Sequence, residues 1–566
     1  MKTQGKRFWN LIPTVLLVIL IAGCGGDEET FKEENSLSFK LSSSDLNLGS
    51  SKNIKVMVPY AGGVYKLSVK ASPGTVWSAT VESGNDLLDV TPSGEQQGDG
   101  EIKITATEDS EKTGGKTGVV LIKNNADNSP LKISFEQKEK ELFFPEGLWG
   151  QTSADFQNPM STFNVHYGKI GDNVALLWAR TIGINPLVAP SNRRFDPNKA
   201  LAACEEVYNF LVDELGFANR TTSCAAKYKF IVRVRDDDNG TAYGGGSGDV
   251  GLFEISPLHL QNERYGIFYH EMCHSFQHIA GRDGAGKLSG PINEMTSQWA
   301  LLRRFSNWIE LERGHFDAFM KLTHLAFLHE DNGYHSPYVL EYWAYKHGVK
   351  MVSKIWKEAI DADNSDPVVI YKRLTNINQE QFNDEIYDAA TRFITWDIPH
   401  IEKEYVRCGG ANVHTCELKR MSSNSYQIVP ERCPSNYGYN GIKLAVPAAG
   451  TQIRLIFQGM MGAQGFNPPV KTECKGWRFG FLAVKDNGER VYGDMGKVTE
   501  GSGTINFTVP ERTKHLWLVV TGAPTKHWKH IVDKKSDPDN KNDEQWPYKF
   551  TLLGTEPDGQ YCKVKD

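Results

Sequence analysis

The sequence has little that would serve a nucleic-acid binder. Lys and Arg number 63 against 69 Asp and Glu, a formal charge of −6, so no basic surplus is available to displace counterions from a phosphate backbone. No Cys-x-x-Cys pair occurs in the 566 residues, which removes support for a cysteine-bound zinc ribbon. No segment repeats at a fixed period, which argues against a solenoid or propeller. Nor does an apolar run reach the roughly 20 residues of a membrane-spanning helix. The N-terminal run, Leu11 to Ala22, stops at about 12 residues. What is present is core-forming material: 40% hydrophobic and 11% aromatic residues place the chain away from the disordered class. At about 100–200 residues per domain, the length suits three or four domains.

Lys2, Lys6 and Arg7 precede that apolar run, and Ile21-Ala22-Gly23-Cys24 closes it, a signal-peptide pattern. The closing residues resemble a bacterial lipobox. The resemblance implies a leader over residues 1–23, lipid on Cys24, and a flexible acidic tether over 24–35. Gly25-Gly26-Asp27-Glu28-Glu29 further resembles the acidic export signal of surface lipoproteins. The implied location is the outer membrane, exposed at the cell surface. Export agrees with eight further cysteines, because an oxidising compartment permits bridges. A bridge is expected within the C-terminal cluster of Cys408, Cys416, Cys433, Cys474 and Cys562. Cys204 is expected to pair with Cys224, since a helix-to-strand return could join them.

Three blocks follow, a multidomain α+β organisation. Residues 36–140 alternate apolar and polar positions, as in Ile54-Val56-Val58, Tyr65-Leu67-Val69 and Ile102-Ile104, which predicts a β-sandwich. The stretch around Val76-Trp77, Val90, Gly100, Gly118 and Ile133-Phe135-Gln137 resembles a BACON domain, a type of module that implies a spacer or a glycan binder. Residues 145–405 turn to helical periodicity with a few strands. Ala200 to Leu215 reads as an amphipathic helix, Tyr228 to Arg235 as a strand, and Asp236 to Gly240 as a hairpin turn rather than a calcium loop. Residues 406–566 return to short strands, predicting a second β-sandwich.

The chemistry concentrates near residue 270. His270-Glu271-Met272-Cys273-His274 is an HExxH motif, which puts two imidazoles on one helix face where they can share a zinc ion. Glu271 stands beside them as the general base for a metal-activated water. Phe268, Met272, Phe276 and Ile279 form the opposite, core-facing stripe. A second helix is predicted to open near Gly290-Pro291 and to carry Glu294 at its start, with Met295, Trp299, Leu302 and Ile309 as its core stripe. Glu294 follows His274 by twenty residues.

This arrangement resembles the gluzincins, the thermolysin-like clan of zinc metallopeptidases, in which a glutamate on a second helix completes the ligand set. The match runs from His270 to about Trp299. A metzincin would want a histidine where this chain has Ala280. An aspzincin would want an aspartate, for which Asp283 in a glycine-rich loop is the candidate. An ordered helix positions a ligand better, so His270, His274 and Glu294 are the expected metal ligands and Zn2+ the expected cofactor. The clan also implies a substrate-aligning edge strand, sought at Thr241-Ala242-Tyr243 and Val250 to Ile255, with the glycines at 244, 245, 246 and 248 as a mobile rim. It implies an oxyanion donor too, sought at Tyr334 or His335 among an aromatic cluster with Tyr338 and Tyr342. His278 reads as a neighbour of the site and Cys273 as packed. Residues 160–400, with Phe163 to Gly168, also resemble an uncharacterised family of exported HExxH proteins.

The expected function is a cell-surface zinc endopeptidase that hydrolyses proteins or glycoproteins, with Glu271 activating a zinc-bound water. Glycan contact through the flanking β-domains is suggested by Trp477, Trp517, Trp528 and Trp546, although a tryptophan in a β-sandwich more often fills the core. The alternative is a catalytically idle zincin-fold lipoprotein that binds host glycans or proteins. A glycoside hydrolase ranks last because no carboxylate pair stands out.

Overall fold

A computed structural model describes residues 37–566 except 44, 47, 49, 50, 61, 110–114, 128, 263, 409–413, 415, 469, 470 and 533–542. The expected leader, Cys24 and the tether lie outside the described residues. Helices and strands recur along the chain in a multidomain α+β arrangement.

Alternation builds the N-terminal block. The strands Asn53–Val58, Gly63–Ala71 and Gly100–Ala106 turn Ile54, Val56, Val58, Tyr65, Leu67, Val69, Ile102 and Ile104 inward and leave polar residues outside. A four-stranded and a five-stranded sheet share this apolar core.

The central sheet runs in the order Gly168–Ile170, Val174–Trp178, Phe230–Val234, Val250–Ile255, Ala242–Ser247. Its middle three strands are parallel and both outer strands antiparallel. Parallel strands covered on both faces read as continuous apolar runs. Val174–Trp178 accordingly has all five residues buried, and Val250–Ile255 all but Glu254. The hairpin expected at Asp236–Gly240 does not form. Val250–Ile255 inserts beside Phe230–Val234, and the actual hairpin joins Ala242–Ser247 to Val250–Ile255. Asp236 pairs with Arg193 and Asp237 with Arg235, so the acidic stretch is held by guanidinium groups.

Helix Pro197–Asn209 begins at Asp196, whose carboxylate accepts the backbone N–H groups of Asn198 and Lys199, with proline in the first turn. A wider turn, Phe210–Glu214, continues it, so the segment expected over Ala200–Leu215 is helical almost throughout. The expected Cys204–Cys224 bridge is not formed. Cys204 is sealed in the core, while the Cys224 thiol hydrogen-bonds Asp283.

The C-terminal block has a six-stranded and a five-stranded sheet around one core. The five-stranded sheet also packs its other face on helix Gln379–Phe393, so Leu482, Trp517 and Val519 belong to the core of the helical block. Double burial explains the unbroken run Leu516 to Val520. Arg478 pairs with Asp384, and Arg490 with Asp397 and Glu402, across the same seam. Trp477, Trp517 and Trp546 are fully buried and have no face for a sugar. Trp528 is half-buried, stacks on Trp546, and donates to Glu544.

Candidate metal centre

Two helices make the site. Gly266–Arg282 buries Phe268, Met272, Phe276 and Ile279 completely, which fixes its rotation. His270 and His274, four residues apart, then share a different face. Ile292–Arg304 buries Met295, Trp299 and Leu302 and presents Glu294 in its first turn, where the helix dipole favours a carboxylate. Ile309, expected on the same helix, lies in a separate short one, Trp308–Leu311. Cross-helix bonds set the spacing: Cys273 Sγ donates to the Thr296 carbonyl, and Gln277 Nε2 donates to the Asn293 carbonyl and to Ser297 Oγ.

Three atoms converge. His270 Nε2 lies 3.2 Å from His274 Nε2, and Glu294 Oε2 lies 3.2 Å and 3.3 Å from the two nitrogens. Four-coordinate zinc with bonds of about 2.0–2.1 Å separates neighbouring donors by roughly 3.3 Å. The donor set therefore fits zinc in kind and spacing. Gln277 Oε1 can only accept, so His274 Nδ1, 3.0 Å away, carries a proton, and Nε2 is the nitrogen His274 would offer a cation in place of the proton it shares with Glu294.

The electrostatics follow from this convergence. Burial alone would raise Glu294, but hydrogen bonds from His270 and His274 overcome it and hold the carboxyl far below the usual range. Burial would lower His274, and its bonds to Glu294 and Gln277 reverse that, leaving it raised. Burial holds Glu271 above an ordinary carboxyl against the opposing charges of His270 and His274. Glu271 is 6% exposed.

Tyr334 closes one side. Its ring stacks on His270 with centroids 6.1 Å apart and on His315 at 5.8 Å. Its phenol hydrogen-bonds Glu294, and burial together with that carboxylate pushes the hydroxyl up to about 12. His335 bonds instead to His315, Nδ1 to Nδ1 at 2.9 Å. Tyr338 and Tyr342, expected in the same cluster, are completely buried core residues. Asp283 ends the motif helix and accepts the Cys224 N–H, apart from the three converging atoms. The His278 ring bonds the Gly248 carbonyl.

Three of the four glycines expected to form a mobile rim are strand, and the fourth, Gly248, sits in the turn that follows. Ala242–Ser247, preceded by Thr241, contains Gly244, Gly245 and Gly246 and is the outer strand of the central sheet. It runs against the motif helix so closely that a β-carbon on Gly244 would lie 2.1 Å from the Glu271 carbonyl oxygen. One on Gly246 would lie 2.0 Å from the His278 ring. Val250–Ile255, expected as part of the edge, lies one strand further in. Sequence reasoning missed Gln277, although its position three residues after His274 puts it on the same helix surface. It also missed His315, which no spacing connects to the motif.

A second group among the described residues could hold a metal ion by composition: His329, His530 and Asp543. Its geometry is that of ion pairs. His329 Nε2 is 2.7 Å from Asp543 Oδ2, His530 Nε2 is 2.8 Å from Glu330 Oε2, and His329 Nδ1 already accepts the Asp331 N–H. A cation on Nε2 would leave the imidazole with no proton on either nitrogen. These bonds fasten the segment before Tyr334 to the C-terminal block.

Taken together, the helices and sheets define an α+β protein with a candidate His-His-Glu centre. Residues 134–559, about three quarters of the chain, match DUF6055, a family of unknown function, and the chain belongs to that family. No curated protein matches it. Among solved structures, WR4, a C. elegans MSP family member, is 10% identical and has a TM-score of 0.13; the match covers 18% of this chain and 98% of that one. The C-terminal family 22 carbohydrate binding module of Clostridium thermocellum Xyn10B is 12% identical with a TM-score of 0.15, covering 24% and 74%. A Bacteroides ovatus GH5 xyloglucanase is 11% identical with a TM-score of 0.14, covering 57% and 63%. TM-scores this low establish no shared fold.

Proposed function

We propose that the chain is a zinc-dependent endopeptidase of the cell surface, acting on proteins or glycoproteins, with a zincin-like central domain. The observation that carries this reading is the meeting of His270, His274 and Glu294 at 3.2–3.3 Å, with Glu271 buried beside them. Two imidazoles and one carboxylate make the donor set of a catalytic zinc rather than a structural one. Bound there, zinc would polarise a carbonyl and bring the pKa of a water to about 7.

The protein groups have separable tasks. Glu271, held above the ordinary carboxyl value by burial, takes the proton from the attacking water and returns it to the leaving amine. Tyr334 stays protonated across neutral pH and donates to the developing oxyanion. His335 steadies His315, on which the Tyr334 ring rests, and is therefore a positioning residue. Gln277 keeps His274 in its ligating tautomer. The outer strand Ala242–Ser247 pairs on one side only among the described residues, so an extended peptide can add along it by backbone hydrogen bonds, next to the motif helix. The residue pattern of 1–29 supports a lipid anchor on Cys24 and outer-membrane display, and residues 36–140 are assigned as the BACON-like spacer.

The test combines metal analysis with digestion of a mixed glycoprotein and peptide library. About one zinc per chain and cleavage by the native protein are expected. Glu271→Gln should retain zinc and lose at least about 100-fold in rate. Zinc-loaded protein that cuts nothing would replace this reading with that of an idle zincin-fold binder.

A further inference from the structure

The first and last strands of the C-terminal block each open on a cysteine. Strand Cys416–Ser422 is its first and strand Cys562–Lys565 its last, and the two pair in parallel with Cys416 directly opposite Cys562. Neighbouring strands lie about 4.7–4.9 Å apart, within the Cα separations of roughly 4.4–6.8 Å that disulfides span. Both residues are buried, at 3% and 0% exposure, in the core with Leu418, Tyr426 and Tyr548. Their thiols hydrogen-bond each other. Three other cysteines have different partners. Cys224 bonds Asp283, Cys273 the Thr296 carbonyl, and Cys433 the Pro434 carbonyl.

We propose that Cys416 and Cys562 form an intramolecular disulfide that ties the last strand of the chain to the first strand of the C-terminal block. The oxidant is a disulfide of low molecular weight or of a thiol oxidoreductase, supplied by the compartment. One cysteine thiolate attacks a sulfur of the donor disulfide and expels one thiolate, giving a mixed disulfide. The second cysteine attacks the protein sulfur of that intermediate and expels the other thiolate. The balance is two protein thiols and one donor disulfide in, one protein disulfide and two donor thiols out. Both sulfurs are closed off from solvent once the block is folded. Attack on the donor disulfide therefore precedes docking of the last strand, and the finished bond is shielded from reductants. This inference goes beyond the peptidase reading and is independent of it; only the export pattern of residues 1–24 bears on where the oxidant comes from.

The full chain would be synthesised in vitro in a buffer of reduced and oxidised glutathione, so that both thiols meet the oxidant before they are buried. It would then be denatured, alkylated with N-ethylmaleimide and mapped by peptide mass spectrometry. The expected result is a linked Cys416–Cys562 peptide, with alkylation of those two positions at least tenfold below that of Cys204 and Cys273. Cys433→Ser should keep the link, and Cys416→Ser should abolish it. Adding a reductant during synthesis should lower the melting midpoint of the protein by several degrees. Full alkylation of Cys416 and Cys562 in the oxidised sample would overturn the proposal, as would finding either linked to Cys433 or another cysteine.

Discussion

Gly244 and Gly245 are adjacent on one strand and should respond oppositely to the same substitution. Neither needs glycine for its backbone angles; what differs is the space on each side of the strand. A β-carbon at 244 would lie 2.1 Å from the Glu271 carbonyl oxygen and 2.9 Å from the Glu271 Cα. An ordinary carbon–oxygen contact is about 3.3 Å, so Gly244→Ala must push strand and helix apart by about 1.2 Å. The six paired positions between Ala242–Ser247 and Val250–Ile255 resist that movement. Overpacking of this kind costs about 1–3 kcal/mol, or roughly 2–12 °C in melting midpoint for a unit of this size. A β-carbon at 245 meets nothing nearer than the Tyr243 ring at 3.5 Å, an ordinary contact. Gly245→Ala should be neutral or stabilising by a few tenths of a kcal/mol, because it removes glycine's freedom from the unfolded chain. Calorimetry of both variants beside the native protein measures the difference. Because the strand also lies beside the proposed general base, Gly244→Ala should lower hydrolysis about 100-fold while Gly245→Ala leaves it near normal. Equal midpoints for the two variants would refute the account of why glycine stands there.

Gln277→Leu should weaken zinc binding about 10–100-fold without unfolding the helix, since it frees His274 to adopt the other tautomer; competition against a fluorescent chelator would show it. Glu341 is buried between Trp299 Nε1 and Arg303, and burial pushes its carboxyl from 4.5 up to about 7 in spite of both. A raised folded-state value means its contribution to stability is complete below about pH 4.5 and is lost as pH rises through about 7, an effect of about 3 kcal/mol. Urea unfolding from pH 4 to 8 should therefore show a shallower loss of stability for Glu341→Gln than for the native protein.

What could be read from the sequence was what depends on local periodicity. The histidines at 270 and 274, the opposite apolar stripe, and a glutamate at the head of the next helix all follow from spacing along two helices. The outer strand was misread for a physical reason. Glycine is depleted in strands, so three glycines at 244–246 signal a loop unless one knows that a helix backbone lies within contact distance. The turn at Asp236–Gly240 failed in the same way, because a hairpin signal cannot reveal that a later strand will insert into the gap. Tyr338 and Tyr342 looked like candidates beside Tyr334, and only tertiary packing separates two core rings from the one that reaches Glu294. The glycan suggestion lost Trp477, Trp517 and Trp546 to the core for a related reason: a residue type has no orientation until its strand has a register.

The five-stranded C-terminal sheet is buried on both faces, one of them against the helical block. A protein cut near residue 405 would expose Leu482, Trp517 and Val519 on one fragment and the flank of helix Gln379–Phe393 on the other. Neither piece should express as a soluble product, and gene fusions that treat residues 406–566 as a detachable appendage should yield insoluble material. The match to DUF6055 likewise crosses residue 405 without interruption and spans both blocks.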